Sequence, residues 1–246
     1  MARLLCSLIL FFLGASSWAQ TVQIAVAANF AGAIKPLATE FERTTGYKTA
    51  ISSGATGKFY AQIGNGAPFD VFLSADQTTP TQLVKDQLAV PATQFTYAVG
   101  KLVLWSAIPG LVDAKGAVLK LARFAHLAIA SPQLAPYGAA AVETLKSMNL
   151  IESLTPKFVQ GESIGQTYTF VATGNAELGF VALSQVWSNG QIQPGSAWIV
   201  PQNLYTPLRQ DAVLLKHGEN NPAAAALLIY LKSAAAKKII QDYGYD

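Results

Sequence analysis

The first strong pattern along the chain is an unbroken apolar run, Val22–Ala27, as expected of a strand buried on both faces. The period then changes. Phe30, Ala33, Ile34, Leu37 and Phe41 recur at helical spacing, and Gly46 ends the helix they predict. Tyr47–Ile51 reads as a strand and Phe59–Ile63 as a helix stopped by Gly64-Asn65-Gly66. Val71–Leu73 is a short apolar strand and Pro80–Asp86 a third helix. Strand alternating with helix predicts a parallel α/β sheet.

A second series of the same kind starts at Tyr97. Ala98–Trp105 and His126–Ala130 read as strands, Ala139–Ser147 as a helix behind Gly138, and Gln166–Ala172 as a helix ended by Gly174. Leu178–Leu183, Trp198–Pro201 and Ala212–Leu215 are further strands. Pro222–Tyr243 reads as one long helix, with Asn221 as N-cap and Pro222 at its first position. The pattern predicts two open α/β units. Such sheets bind ligands at the carboxyl ends of their strands, where loops lead into helix N-termini.

The amino end departs from this pattern. Arg3 precedes an apolar run, Leu4–Leu13, followed by small residues including Ser17 and Ala19. Residues 1–19 therefore read as an export signal cleaved near Ala19-Gln20, with a retained anchor as the competing reading. The run is short for a bilayer span. Cys6, the single cysteine, lies inside it. The mature chain then carries no thiol, which suits an oxidising compartment. Of the 246 residues 13% are charged, for a formal net charge of +3 with no Lys/Arg block, which argues against nucleic acid as a partner.

Candidate chemistry gathers in four loops of small polar residues, each leading toward a predicted helix. They are Ala28-Asn29, Ser52–Gly57, Ala135-Pro136-Tyr137-Gly138 and Gly161–Gly165. A helix N-terminus presents unpaired N–H groups and roughly +0.5 of an elementary charge. Loops of this kind hold an anion through neutral donors, and prefer one that brings no proton of its own. Each also has a plainer reading: helix caps for Asn29 and Thr56, a core aromatic for Tyr137, ordinary packing for Ile164. Other chemistries find less support. Gly54-Ala55-Thr56-Gly57-Lys58 is too short for a phosphate loop. His126 and His217 lack the partners of a zinc site. Asp70 and Asp76 flank one strand as cap or turn residues. No nucleophile–base set is present, so neither an enzyme nor a cofactor is expected.

At these loops the sequence resembles the periplasmic molybdate-binding proteins of ABC importers. The resemblance covers nearly the whole mature chain. It includes AVAANFAGAIKPLATEFE at 25–42, SSGATGKFYAQIGNGAPFDVFLSAD at 52–76, SPQLAPYGAAAVETL at 131–145, AELGFVALSQV at 176–186 and YLKSAAAKKIIQDYGY at 230–245. GAPFDVFLSAD and the APYG loop are its most specific parts. It implies a two-lobed α/β fold of the type II periplasmic binding proteins, with the ligand cleft between lobes. One lobe would comprise 20–97 plus 210–246 and the other 98–209, with hinges near Tyr97 and Arg209. It further implies a monomer that binds molybdate or tungstate and passes it to a membrane permease. Carried over by position, the ligand residues would be Ala28, Asn29, Thr56, Tyr137 and Ile164, the last through its backbone. Ala182 departs from a branch of the family that has a tyrosine there, so this chain resembles the branch that uses Tyr137. Another oxyanion such as sulfate or phosphate, a small organic acid, or a secreted α/β enzyme are the alternatives.

Overall fold

A computed structural model describes residues 20–188 and 190–246, so the expected export signal lies outside the described residues. From Gln20 the chain runs through β1 (Thr21–Ala27), a 3-10 turn (Ala28–Phe30), α1 (Ile34–Thr45), β2 (Lys48–Gly54), α2 (Thr56–Gly64), β3 (Val71–Leu73), α3 (Thr78–Lys85) and β4 (Phe95–Gly100). It continues as β5 (Leu102–Ser106), α4 (Val118–Leu121), β6 (Leu127–Ala130), α5 (Pro136–Ser147), α6 (Ile151–Leu154), β7 (Phe158–Gly161), α7 (Ile164–Ala172) and β8 (Leu178–Ala182). A short helix α8 (Leu183–Val186), a small hairpin of β9 (Trp187–Ser188) and β10 (Gln191–Ile192), and β11 (Ser196–Ile199) follow. The chain returns through β12 (Leu208–Leu214) and ends in α9 (Pro222–Leu231) and α10 (Ala234–Asp242).

These elements build two lobes, each around a five-stranded sheet. The first sheet has the order β2-β1-β3-β12-β4 and the second β11-β5-β8-β6-β7. Both are mixed, which corrects the expectation of parallel sheets. β1 pairs in parallel with β2 and β3, but β12 runs antiparallel to β3 and β4. β12 enters the first sheet at the end from which β4 leaves it, Leu208 opposite Gly100, and so must run the other way. In the second sheet β6 is parallel to β7 and β8, while β5 is antiparallel to β8 and β11. A strand buried on both faces shows the same apolar run in either direction, so the pattern could not separate the two.

Two further expectations are corrected. Ala98–Trp105 is not one strand. The apolar run continues across Lys101, but Gly100 ends β4 in the first sheet and Leu102 begins β5 in the second. Nor is Pro222–Tyr243 one helix. Ser233 Oγ accepts the Ala236 N–H and starts a new helix after α9 has ended. Asn221 does cap α9, its side chain accepting the Ala223 N–H.

Phe30 of the 3-10 turn and Leu37 and Phe41 of the α1 stripe share the first-lobe core with Leu227 and Leu231 of α9, all fully or almost fully buried. Side chains of that size contribute roughly 1.5–3 kcal/mol each on burial. The second lobe has its own core around Leu102, Leu104, Leu145 and Phe180. Gly138 lets α5 start directly against the end of β6, because a Cβ there would collide with the Ala130 carbonyl. These cores fix the strand ends, and the strand ends fix the loops described next.

Candidate ligand site between the lobes

The four loops converge. Ala28-Asn29 forms the 3-10 turn at the end of β1, Thr56 is the first residue of α2, Tyr137 the second of α5 and Ile164 the first of α7. Ala28, Asn29, Thr56, Tyr137 and Ile164 all line one cavity, with the two lobes as its walls. Its volume is ≈ 10 Å³, far below the roughly 300–1,000 Å³ of pockets for organic ligands. No lining side chain carries a charge. The space suits a small ion held by dipoles and hydrogen bonds.

The hydrogen bonds around the cavity select the kind of ion. A hydroxyl offers one hydrogen and two lone pairs. Thr56 Oγ1 accepts the Ala75 N–H at 3.2 Å, and Tyr137 Oη accepts Gln210 Nε2 at 3.1 Å. Neither hydroxyl donates to any acceptor among the described residues, so each keeps its hydrogen for a ligand. Both side chains are almost fully buried. Thr56 and Ile164 also stand at first helical positions, where the backbone N–H has no intrahelical acceptor. The surplus around the cavity is of donors, which fits a deprotonated oxyanion.

Asn29 behaves differently from its expected role as a side-chain donor. Its Nδ2 donates to Gln210 Oε1 at 2.8 Å and to Tyr245 Oη at 2.9 Å, which uses both amide hydrogens. Its Oδ1 is buried and without a partner. Neither Asn29 nor Thr56 is a helix cap: Ala27 and Ala55 hold those positions. Tyr137 is a buried aromatic, but its hydroxyl meets an amide rather than a carbonyl. Ala182 is fully buried at the end of β8 and does not line the cavity.

Contacts across the cleft hold the lobes together. Gly57 N–H donates to the Leu134 carbonyl at 2.9 Å, and Ser184 Oγ donates to the Asn29 carbonyl at 2.8 Å. Lys58 pairs with Glu162 at 2.9 Å, both side chains substantially exposed. The cleft is therefore closed over the cavity.

Sequence reasoning missed the layer behind the donors: Gln210, Tyr97, Tyr245, Ser184 and Gly100. One signal was available, because the polar run Arg209-Gln210-Asp211 interrupts the strand and Gln210 and Asp211 within it are buried. Tyr97 Oη lies 3.0 Å from the Ser74 carbonyl and 3.1 Å from Gln210 Oε1. Burial raises the hydroxyls of Tyr137 and Tyr97 well above the ordinary phenol range, with neighbouring tyrosines adding to it. Burial raises Tyr245 as well, against the lowering effect of its bonds to Ser184 and Asn29. All three remain protonated through neutral and mildly alkaline pH. Asp70 and Asp76 belong to turns. Asp70 accepts from the Gln23 N–H and Asn221 Nδ2 and faces His217, and Asp76 accepts the Thr79 N–H.

Comparison with known proteins agrees with this geometry. Residues 22–246 match the family model described as bacterial extracellular solute-binding protein. The molybdate-binding protein ModA of Azotobacter vinelandii is 56% identical over 245 residues, spanning 100% of this chain and 97% of that one. Its counterpart in Rhodobacter capsulatus is 53% identical over 221 residues, 90% of this chain and 86% of that one. The solved structure of the Azotobacter vinelandii periplasmic molybdate-binding protein superposes with a TM-score of 0.89 at 43% identity, covering 92% and 98% of the two chains.

Proposed function

This chain belongs to the bacterial extracellular solute-binding proteins, and on that premise we propose that it captures molybdate or tungstate and delivers it to the membrane permease of an ABC importer. The observation that carries the reading is the cavity itself. It is small, it has no charged wall, and two buried hydroxyls beside it each have one lone pair engaged and their hydrogen unspent. A dianion in such a site is held by donors alone. Ala28, Asn29, Thr56, Tyr137 and Ile164 are the residues we assign to it, with Thr56 and Tyr137 donating through hydroxyls, and with Ile164 and Asn29, whose amide hydrogens are spent, acting through their backbone.

Size then selects among oxyanions. A cleft fitted to long metal–oxygen bonds leaves slack donors around sulfate, and each unmade hydrogen bond to a charge costs about 1.5–3 kcal/mol. Molybdate and tungstate are too alike in size for these donors to separate them. The mature chain from Gln20 acts in the periplasm as a monomer, without cofactor, catalysis or nucleic acid. Its lobes follow the two sheets, residues 20–100 with 208–246 and residues 101–207, rather than the expected breaks at 97 and 209, and they open and close about the crossings near Lys101 and Pro207. Calorimetric titration with molybdate, tungstate, sulfate and phosphate tests the proposal: tight binding of the first two alone is expected, and equal binding of sulfate would overturn it.

A further inference from the structure

Gln210 is fully buried on β12, beside a register shift in its pairing with β4. Its amide lies between the two lobes' contributions to the cavity. Nε2 donates to Tyr137 Oη of the second lobe at 3.1 Å, and Oε1 accepts Asn29 Nδ2 of the first at 2.8 Å. Gly100, on the neighbouring strand, makes room for this meeting, since a Cβ there would strike both the Tyr137 hydroxyl and Gln210 Nε2. The chain of bonds has a direction. Both Asn29 hydrogens point away from its own orphaned Oδ1, toward Gln210 and Tyr245. The amide of Gln210 passes that direction on, presenting N–H to Tyr137.

We propose that Gln210 is the positioning residue of the site: by filling a lone pair of Tyr137 from behind, it turns the single hydroxyl hydrogen of Tyr137 toward the bound oxyanion. With an acceptor in place of Nε2, Tyr137 would spend its hydrogen inward and present lone pairs to an anion. Gln210 thus contributes to binding without touching the ligand. The inference rests on the oxyanion reading given above.

Gln210→Glu tests the direction, because a carboxylic acid donates and accepts as the amide does whereas a carboxylate only accepts. Burial raises a glutamate above its ordinary value of about 4.3, toward the 8–9 seen for deeply buried ones. Molybdate and tungstate affinities of wild type and Gln210→Glu are measured from pH 5 to 9, roughly that window. The variant-to-wild-type ratio is expected to be near one at the acid end. It should fall by at least about tenfold as the carboxyl ionises. A ratio that does not change with pH overturns the proposal. Gln210→Met, which fills the space without polarity, supplies the second arm. It should weaken binding about tenfold at every pH, and much less in a Tyr137→Phe background where no hydroxyl remains to orient. Equal losses in both backgrounds would also overturn it. Failure of the wild type to bind either ion would instead remove the functional reading beneath it.

Discussion

Lys58 Nζ and Glu162 Oε1 stand 2.9 Å apart, and the bond between them joins α2 of one lobe to the β7–α7 loop of the other. It lies at the solvent-exposed side of the cleft. Both side chains are too exposed for a strong effect, and such pairs are worth about 0–1 kcal/mol. Lys58→Ala is therefore expected to speed ligand release by no more than about fivefold at low salt, with less effect as ionic strength rises. Stopped-flow release of molybdate measures this. A hundredfold change would assign Lys58 to the ligand itself.

Thr56→Ala and Tyr137→Phe each remove one hydroxyl donor. Each should weaken molybdate binding by about 10- to 150-fold, the equivalent of one hydrogen bond to a charge. Thr56→Ser keeps the hydroxyl and is expected to bind close to wild type. Titration calorimetry distinguishes these. Unchanged affinity in both deletions would place the site elsewhere.

Gly100→Ala introduces a methyl group where Tyr137 and Gln210 meet. Overpacking of this kind costs about 1–3 kcal/mol. The unliganded protein should melt at lower temperature, and the stabilisation normally added by molybdate should shrink with it. A variant that melts lower yet gains the full ligand shift would separate packing at Gly100 from the site.

Tyr97, Tyr137 and Tyr245 are buried with hydroxyls raised above the phenol value of 10.0. The sign follows from linkage. Below pH 10 both folded and unfolded chains hold these three protons, and stability is unaffected by them. As pH rises through 10 the unfolded chain releases protons that the folded chain retains, so stability falls, by up to roughly 1.4 kcal/mol per pH unit for each tyrosine. Urea denaturation between pH 9 and 11 should show this loss starting near pH 10. A flat profile would mean that the hydroxyls ionise freely in the folded state.

Asn221→Ala removes the α9 cap together with bonds from Asn221 Nδ2 to Asp70 and the Thr21 carbonyl. We expect about 1–2 kcal/mol of lost stability. Molybdate affinity should stay the same, because these groups lie away from the cavity. Parallel melting and titration experiments would show the two properties separating.

Much of this was legible from residue order. Val22–Ala27, the α1 stripe and Val71–Leu73 announced themselves because burial of a strand or a helix face imposes a period on the sequence. The five cavity residues were legible from small polar residues ahead of helices together with the resemblance they carried. What stayed hidden has a common physical cause. Gln210, Tyr97 and Tyr245 act through partners far away in the chain, and a polar side chain inside a strand carries no mark of whom it meets. Strand direction was hidden for a similar reason: β5 and β12 are buried on both faces and look alike either way. The two spent hydrogens of Asn29 could be seen only once its neighbours were in place.

β12 lies within the first sheet, between β3 and β4, although the entire second lobe is translated before it. A chain emerging amino end first must hold β3 and β4 with a vacant slot between them while the inserted unit is made. That slot is a pair of unsatisfied strand edges, and closing it waits on a contact of long sequence separation. The topology thus allows the second lobe to complete itself early, while the first cannot close its sheet without the strand that also carries Gln210.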